Sequence, residues 1–226
     1  MQLEYNQNKQ EKQNYLVALP SASAILEHAK RIKALSQIGL TYTQSEYDIE
    51  RYTELKEISL QLMEEVTGLS AEKLSLHFSE KLEYTTPKVD IRAVVFNEQN
   101  EILLVKESAD GLWSLPGGWA DVGFSPAEVA VKEVFEESGW VVTPVKLLAA
   151  LDSRRHPHPP TLDYIYKLFI QCRITAGGWK TSFDILDGGF FGRDKIPPLS
   201  TGRVVMEQIE LMFAYADDPD RVAAFD

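Results

Sequence analysis

Residues 115–140 read LPGGWADVGFSPAEVAVKEVFEESGW, and the organisation of the chain follows from them. Pro116, Gly117 and Gly118 continue neither a strand nor a helix comfortably, so the backbone bends there and, with no Cβ in the way, can approach another group closely. Ser125 offers an N-cap, Pro126 a first helical position and Glu128 the partner of a capping box, which together predict a helix ending at Gly139. Within it Ala127, Val131, Val134 and Phe135 recur at helical spacing, while Glu133, Glu136 and Glu137 stand at i, i+3 and i+4 on a shared face.

Like charges three and four apart each destabilise a helix by roughly 0.2 to 0.5 kcal/mol, so the carboxylate face needs a reason. One reading is a solvated acidic surface. The other is a cation site: the glycine turn delivers a carbonyl oxygen towards the same place, and carboxylate and carbonyl oxygens suit a hard divalent ion such as Mg²⁺ or Mn²⁺.

At these residues the stretch resembles the signature of the Nudix hydrolases, matched here by Gly118, Lys132, Glu133, Glu136, Glu137, Gly139 and Trp140. Two positions depart from that pattern: Phe124 stands where a glutamate is expected and Lys132 where an arginine is expected. The family's two side chains are thought to pair and brace the loop against the helix. Losing both strands no lone charge, and a partly exposed pair contributes only about 0 to 1 kcal/mol. The loop around Phe124 is expected to be held by apolar packing instead. The resemblance extends to GLTYTQSEYDIERYTEL (39–55), TPKVDIRAVVF (86–96), DSRRHPHPP (152–160) and YIYKLFIQC (164–172). These look like a bacterial Nudix group with a helical N-terminal domain, whose members include CDP-choline pyrophosphatase and proteins labelled ADP-ribose pyrophosphatase.

The resemblance implies an α/β (α+β) fold, a Nudix α/β/α sandwich over residues 85–226, preceded by a small all-helical domain over residues 1–84. It also implies Glu133, Glu136 and Glu137 as metal ligands, with a carbonyl of Gly117 or Gly118 completing the shell around Mg²⁺ or Mn²⁺. The implied substrate is a nucleoside diphosphate linked to another moiety, of the CDP-choline or ADP-ribose type. Glu136 or Glu133 would take the proton from the attacking water, or else a carboxylate from the loop Ser182–Gly189, which holds Asp184 and Asp187; as residues beside glycines, these two also read as ordinary turn formers. Arg154, Arg155, His156 and His158 follow a predicted strand in a proline-rich loop and are candidates for substrate contact, arginine suiting a diphosphate. Their alternative is a solvated surface loop. Their spacing does not fit a zinc site. Arg92 is expected to line the pocket or to bridge to a neighbouring strand. Trp113 and Trp119 flank the glycine turn, as base-stacking platforms or as packing.

The chain has 226 residues, 44% hydrophobic and 25% charged, which fits one large or two modest globular domains. A formal net charge of -11 argues against nonspecific nucleic-acid binding, which lysine and arginine drive. It allows a phosphorylated small molecule, because a bound metal reverses the local field. The single cysteine, Cys172, permits no internal disulfide and sits in an apolar stretch; the expectation is a buried thiol in a cytoplasmic protein. The first fifteen residues, with Asn, Gln and Lys throughout, lack an apolar run and predict neither signal peptide nor membrane span, and residues 1 to about 20 are expected to form a loosely ordered arm or a short helix.

Helical stripes follow: Ile25, Leu26, Ala29, Ile32, Leu35 and Ile38 up to Gly39, with Lys30, Arg31 and Lys33 on other faces, then Tyr52, Leu55, Ile58, Leu62 and Val66 between Ser45 and Gly68. A short helix after Ser70 points Leu74 and Phe78 inward. Three such helices bury little core alone, so their stripe needs a partner, either the following domain or a second copy of the chain, and a homodimer through these helices is the expectation. Lys88–Phe96 alternates as a strand, and Ile102–Val105 is expected to return beside it as a hairpin. Val141–Leu151, Tyr164–Ile174 and the Phe190–Phe191 region read as strands, and Val204–Tyr215 as a final helix. The competing functional reading is a non-catalytic nucleotide-binding module, favoured by Phe124 and opposed by the retained glutamates.

Overall fold

The computed structural model describes residues 21–78, 84–180 and 182–226, so the expected N-terminal arm lies outside the described residues. Two compact units are found, the second beginning at Thr86.

The first unit holds α1 (Ala22–Tyr42), α2 (Glu46–Thr67) and α3 (Ala71–His77). Each begins at a serine whose hydroxyl accepts a backbone N–H: Ser21, Ser45 and Ser70. Gly39 does not end α1. A Cβ there would lie 2.6 Å from the Tyr52 ring, so the glycine lets α2 pack closely while the helix runs on to Tyr42. The apolar stripe of α1 is only partly inward, since Leu35 is exposed whereas Lys30 and Lys33 are buried. Both lysines find partners at the core: Lys30 pairs with Glu27 at 2.7 Å, and Lys33 donates to Gln37 and lies 3.9 Å from the Phe78 ring centre. The apolar stem of a lysine packs where a shorter polar side chain could not. Leu74 is buried as expected, and Leu55 and Ile58 are left exposed.

The second unit contains β1 (Lys88–Val95), β2 (Ile102–Glu107), β3 (Trp113–Ser114), β4 (Gly117–Trp119), α4 (Pro126–Ser138), β5 (Trp140–Asp152), β6 (Ile165–Gly177), β7 (Ile185–Phe191), α5 (Met206–Asp217) and β8 (Ala224–Phe225). One sheet runs β4-β1-β6-β5-β8 and the other β3-β2-β7. The expected β1–β2 hairpin does not form. Strand β1 is already hydrogen-bonded on both sides, antiparallel to β4 and parallel to β6, so β2 has no edge to join. Asn97 accepts from the Gln99 and Glu101 N–H groups, Asn100 takes a positive φ of 58°, and β2 enters the second sheet after one bridge between Phe96 and Ile102.

Alternation along the strands supplies a core on each side. Ile91, Ala93, Val95 and Leu103 join Val129, Ala130 and Val134 of α4, while Val94, Ile102, Leu104 and Phe169 join Ile209, Met212 and Phe213 of α5. The result is the α/β/α sandwich expected from the sequence. Phe135 is exposed rather than inward, and Val129 and Ala130 take the core positions on α4.

Candidate active site

Helix α4 starts with the capping box read from the sequence: Ser125 and Glu128 exchange hydrogen bonds between side chain and backbone, an arrangement that contributes about 1 kcal/mol. Its apolar face is pressed on the sheet, which aims Glu133 and Glu137 at the turn leading into β4. That turn is fixed from beneath. Arg92 Nη1 donates to the Leu115 carbonyl at 3.0 Å, and the Ala93 N–H donates to the Pro116 carbonyl at 2.8 Å. At Gly117 a Cβ would fall 2.0 Å from the Ile91 carbonyl oxygen, a backbone clash no rotamer relieves. Its N–H donates to Glu137 Oε2 at 3.0 Å. At Gly118 a Cβ would lie 3.3 Å from the Glu133 carboxylate, which therefore rests over bare backbone.

Burial dominates the electrostatics of these carboxylates. Glu137 is 8% exposed, and burial pushes its carboxyl up to about 8, with Glu107 and Glu133 adding to the rise and the Gly117 N–H and Arg92 opposing it. Glu133 is raised chiefly by burial, against the pull of Lys132. Lys132 Nζ stands 3.1 Å from Glu136, 3.3 Å from Glu133 and 3.6 Å from Asp121, and the hydrogen bond to Glu136 raises its own pKa most. The loop around Phe124 is not held by apolar packing, since Phe124 is half exposed. The Phe124 N–H donates to the Asp121 carbonyl, and the Lys132–Asp121 pair ties the loop to α4.

Behind the turn lies a buried charge network built on Asp90 and Arg92 of β1. Both are buried; Arg92 pairs with Asp90 at 2.8 Å, and buried Lys167 on β6 pairs with Asp90 at 2.6 Å and donates to the Arg203 carbonyl. Burial pushes the Asp90 carboxyl up, but Arg92 and Lys167 outweigh it and leave it below the usual range. Arg92 thus bridges to its own strand and to the glycine turn. Glu107, also buried, accepts from Ser114 Oγ at 2.6 Å and Arg203 Nε at 3.0 Å. No sequence motif marked Glu107 or Lys167.

The other polar candidates lie around the start of β7 and on the segment that follows β5. Asp184 and Asp187 are exposed at and on β7; Asp184 contacts Ser182, and Asp187 Oδ1 accepts the Gly188 N–H. Arg154 folds back on Asp152 and over the Tyr164 ring, and Arg155 is exposed. His156 contacts Asp226 at 3.2 Å. His158 Nδ1 lies 2.6 Å from the Thr201 carbonyl and Nε2 lies 3.0 Å from the Gln208 amide nitrogen, which fits a neutral ring. Burial lowers its pKa. Trp113 packs edge-on against Phe191, whereas Trp119 is half exposed beside Lys88.

The residues present fit a hard divalent cation. Oxygen donors would come from Glu133, Glu136, Glu137 and the backbone of the turn, and the missing side chain at Gly118 leaves open space beside Glu133. Among the described residues no three acidic, histidine or cysteine side chains are grouped so that they could hold a metal ion as they stand. Lys132 stands between Glu133 and Glu136, and Glu137 is turned to Gly117.

Residues 86–181 match the NUDIX domain, and residues 23–78 match the family described as UDP-X-like, N-terminal oligomerisation domain. A Bacillus subtilis (strain 168) protein, YjhB, provisionally named an ADP-ribose pyrophosphatase, is 43% identical over 201 residues, spanning 89% of this chain and 96% of that protein. A crystal structure of an ADP-ribose pyrophosphatase from Streptococcus suis 89-1591 is 40% identical with a TM-score of 0.57, covering 62% of this chain and 100% of its own. A UDP-X diphosphatase crystal structure is 30% identical with a TM-score of 0.59, covering 92% of this chain and 100% of its own. Among the described residues no helix is long and apolar enough to cross a membrane.

Proposed function

This chain belongs to the Nudix family as a pyrophosphohydrolase, and from that premise we propose that it uses Mg²⁺ or Mn²⁺ to hydrolyse a nucleoside diphosphate linked to another moiety. The products are a nucleoside monophosphate and the phosphorylated partner. ADP-ribose is the first substrate to test because two similar proteins carry that name; CDP-choline and UDP-linked compounds follow. The observation that carries this reading is the approach of α4 to the glycine turn, with Glu137 hydrogen-bonded to the Gly117 N–H and Glu133 lying over Gly118.

In this reading Glu133, Glu136 and Glu137, with a carbonyl of Gly117 or Gly118, hold the metal. When bound, the metal stabilises charge on the diphosphate oxygens. Glu137 is held in place by the Gly117 N–H, and Arg92 stiffens the turn through Leu115, so that two carboxylates and the turn keep a fixed spacing. Glu136, the exposed member, is assigned to take the proton from the attacking water; Asp184 and Asp187 are the second choice. Arg155 and Arg154 are assigned to the diphosphate or the group beyond it, and His156 and His158 to shaping that loop. The N-terminal unit is assigned to a homodimer, supported by the oligomerisation family it matches and by its exposed Leu35, Tyr42, Tyr47 and Ile49.

The test is incubation with ADP-ribose, CDP-choline and UDP-linked sugars in the presence of Mn²⁺ or Mg²⁺, with monophosphate release as readout. Wild type should turn over at least one of these compounds and E137Q none. Undiminished metal-dependent release by E137Q would overturn the metal assignment.

A further inference from the structure

We propose that Lys132 is a tethered competitor of the metal: its ammonium and the divalent cation are alternative counter-charges for the same oxygens of Glu133 and Glu136, and Phe124 is what turns the lysine towards them. This inference rests on the metal assignment made above. The ammonium lies 3.3 Å from Glu133 and 3.1 Å from Glu136, two of the proposed ligands, and one side chain at this position reaches both. A carboxylate at position 124 would offer it a partner in the loop. Phenylalanine offers none, and Asp121, itself half exposed, is reached only at 3.6 Å. Lysine carries its charge on a flexible stem, so it can settle on the helix carboxylates and be pushed off them by a divalent ion of higher charge density. Metal loading then involves breaking two ion pairs, and the lysine sets how much free metal the site requires.

Mn²⁺ binding to the substrate-free full chain, read by electron paramagnetic resonance of the free ion, tests this without reference to turnover. K132M and K132Q should each lower the Kd for Mn²⁺ by roughly three- to tenfold, the range expected for losing two partly exposed ion pairs. K132R, which keeps the charge, should stay within about twofold of wild type. F124E should lower the Kd by roughly two- to fivefold by drawing the lysine away, and in the K132M background the same change should do less than about twofold. K146M is the control for net charge, because Lys146 contacts Pro219 and Tyr215 instead, and it should leave the Kd unchanged. Equal or weaker Mn²⁺ binding by both neutral variants overturns the inference, as does an F124E effect that persists in full without the lysine, or a K146M effect as large as that of K132M. Wild type and every variant failing to bind Mn²⁺ would instead sink the metal assignment itself.

Discussion

Replacing Glu137 by glutamine should make the metal-free protein more stable while removing its response to metal. Burial raises this carboxyl from about 4.5 in the unfolded chain to about 8 in the fold. A carboxylic acid with a raised folded-state pKa contributes fully below the unfolded value, and that contribution is lost as pH rises through the folded one. By pH 7 the loss amounts to about 3 kcal/mol, at 1.36 kcal/mol per unit above 4.5. Glutamine is close in shape, and its amide oxygen can still accept the Gly117 N–H; its NH₂ group has Glu107 and Glu133 nearby, so we subtract about 1 kcal/mol for imperfect hydrogen bonding. E137Q should therefore gain roughly 2 kcal/mol at pH 7 in EDTA, a gain that vanishes at about pH 5 and turns into a deficit of about 1 kcal/mol towards pH 4. With Mn²⁺ at a hundred times its Kd the wild type recovers about 2.7 kcal/mol and the variant almost nothing. The assay is urea unfolding followed by tryptophan fluorescence, which reports on the second unit because Trp113, Trp119, Trp140 and Trp179 all lie there. A variant less stable than wild type in EDTA at pH 7, or a difference that does not change with pH, would refute the reasoning.

D90N should cost about 3 to 5 kcal/mol in the same unfolding assay, because it leaves buried Arg92 and Lys167 without their carboxylate. With the Asp90 pKa depressed in the fold, its contribution is present above the unfolded value of 3.8 and lost as pH falls through the folded one, so the D90N penalty should shrink in acid. Cys172 is buried, with its thiol pushed up to about 12, so native protein should react with an aromatic disulfide reagent only as fast as it opens; rapid reaction at pH 8 would contradict this. At saturating metal, E136Q should lower kcat by roughly 100-fold or more, whereas D184N and D187N should each change it less than about threefold. The reverse ordering would move the base from the helix to the β7 loop.

What was legible in the sequence was local. Ser125, Pro126, Glu128 and Gly139 announce α4 because caps and breakers act within one turn. Gly117 and Gly118, read as strand breakers, instead lie in β4 opposite Arg92 and Ile91 and leave the bend to Pro116, because the missing side chain at Gly117 lets β4 pack close to β1. The β1–β2 misreading arose because adjacency in sequence favours a hairpin, while only the three-dimensional neighbours β4 and β6 show that β1 has no free edge. Buried lysines were misjudged by a rule that assigns charge to the surface. Lys33 lies inside because Gln37, one turn further along its own helix, and the Phe78 ring satisfy it; Lys167, which no pattern had placed, lies inside because of Asp90, 77 residues earlier in the chain. Nor could spacing reveal that Phe124 would stay exposed and that Asp121 would take over the contact with Lys132.

The most direct measurement of the central claim is anomalous scattering from crystals of the wild-type chain soaked in Mn²⁺. The account predicts a peak between α4 and the glycine turn, about 2 Å from oxygens of the Glu133, Glu136 and Glu137 set and a turn carbonyl, with Lys132 moved away from Glu133 and Glu136. A peak elsewhere in the second unit, or a map without one while these glutamates point to solvent, would contradict it.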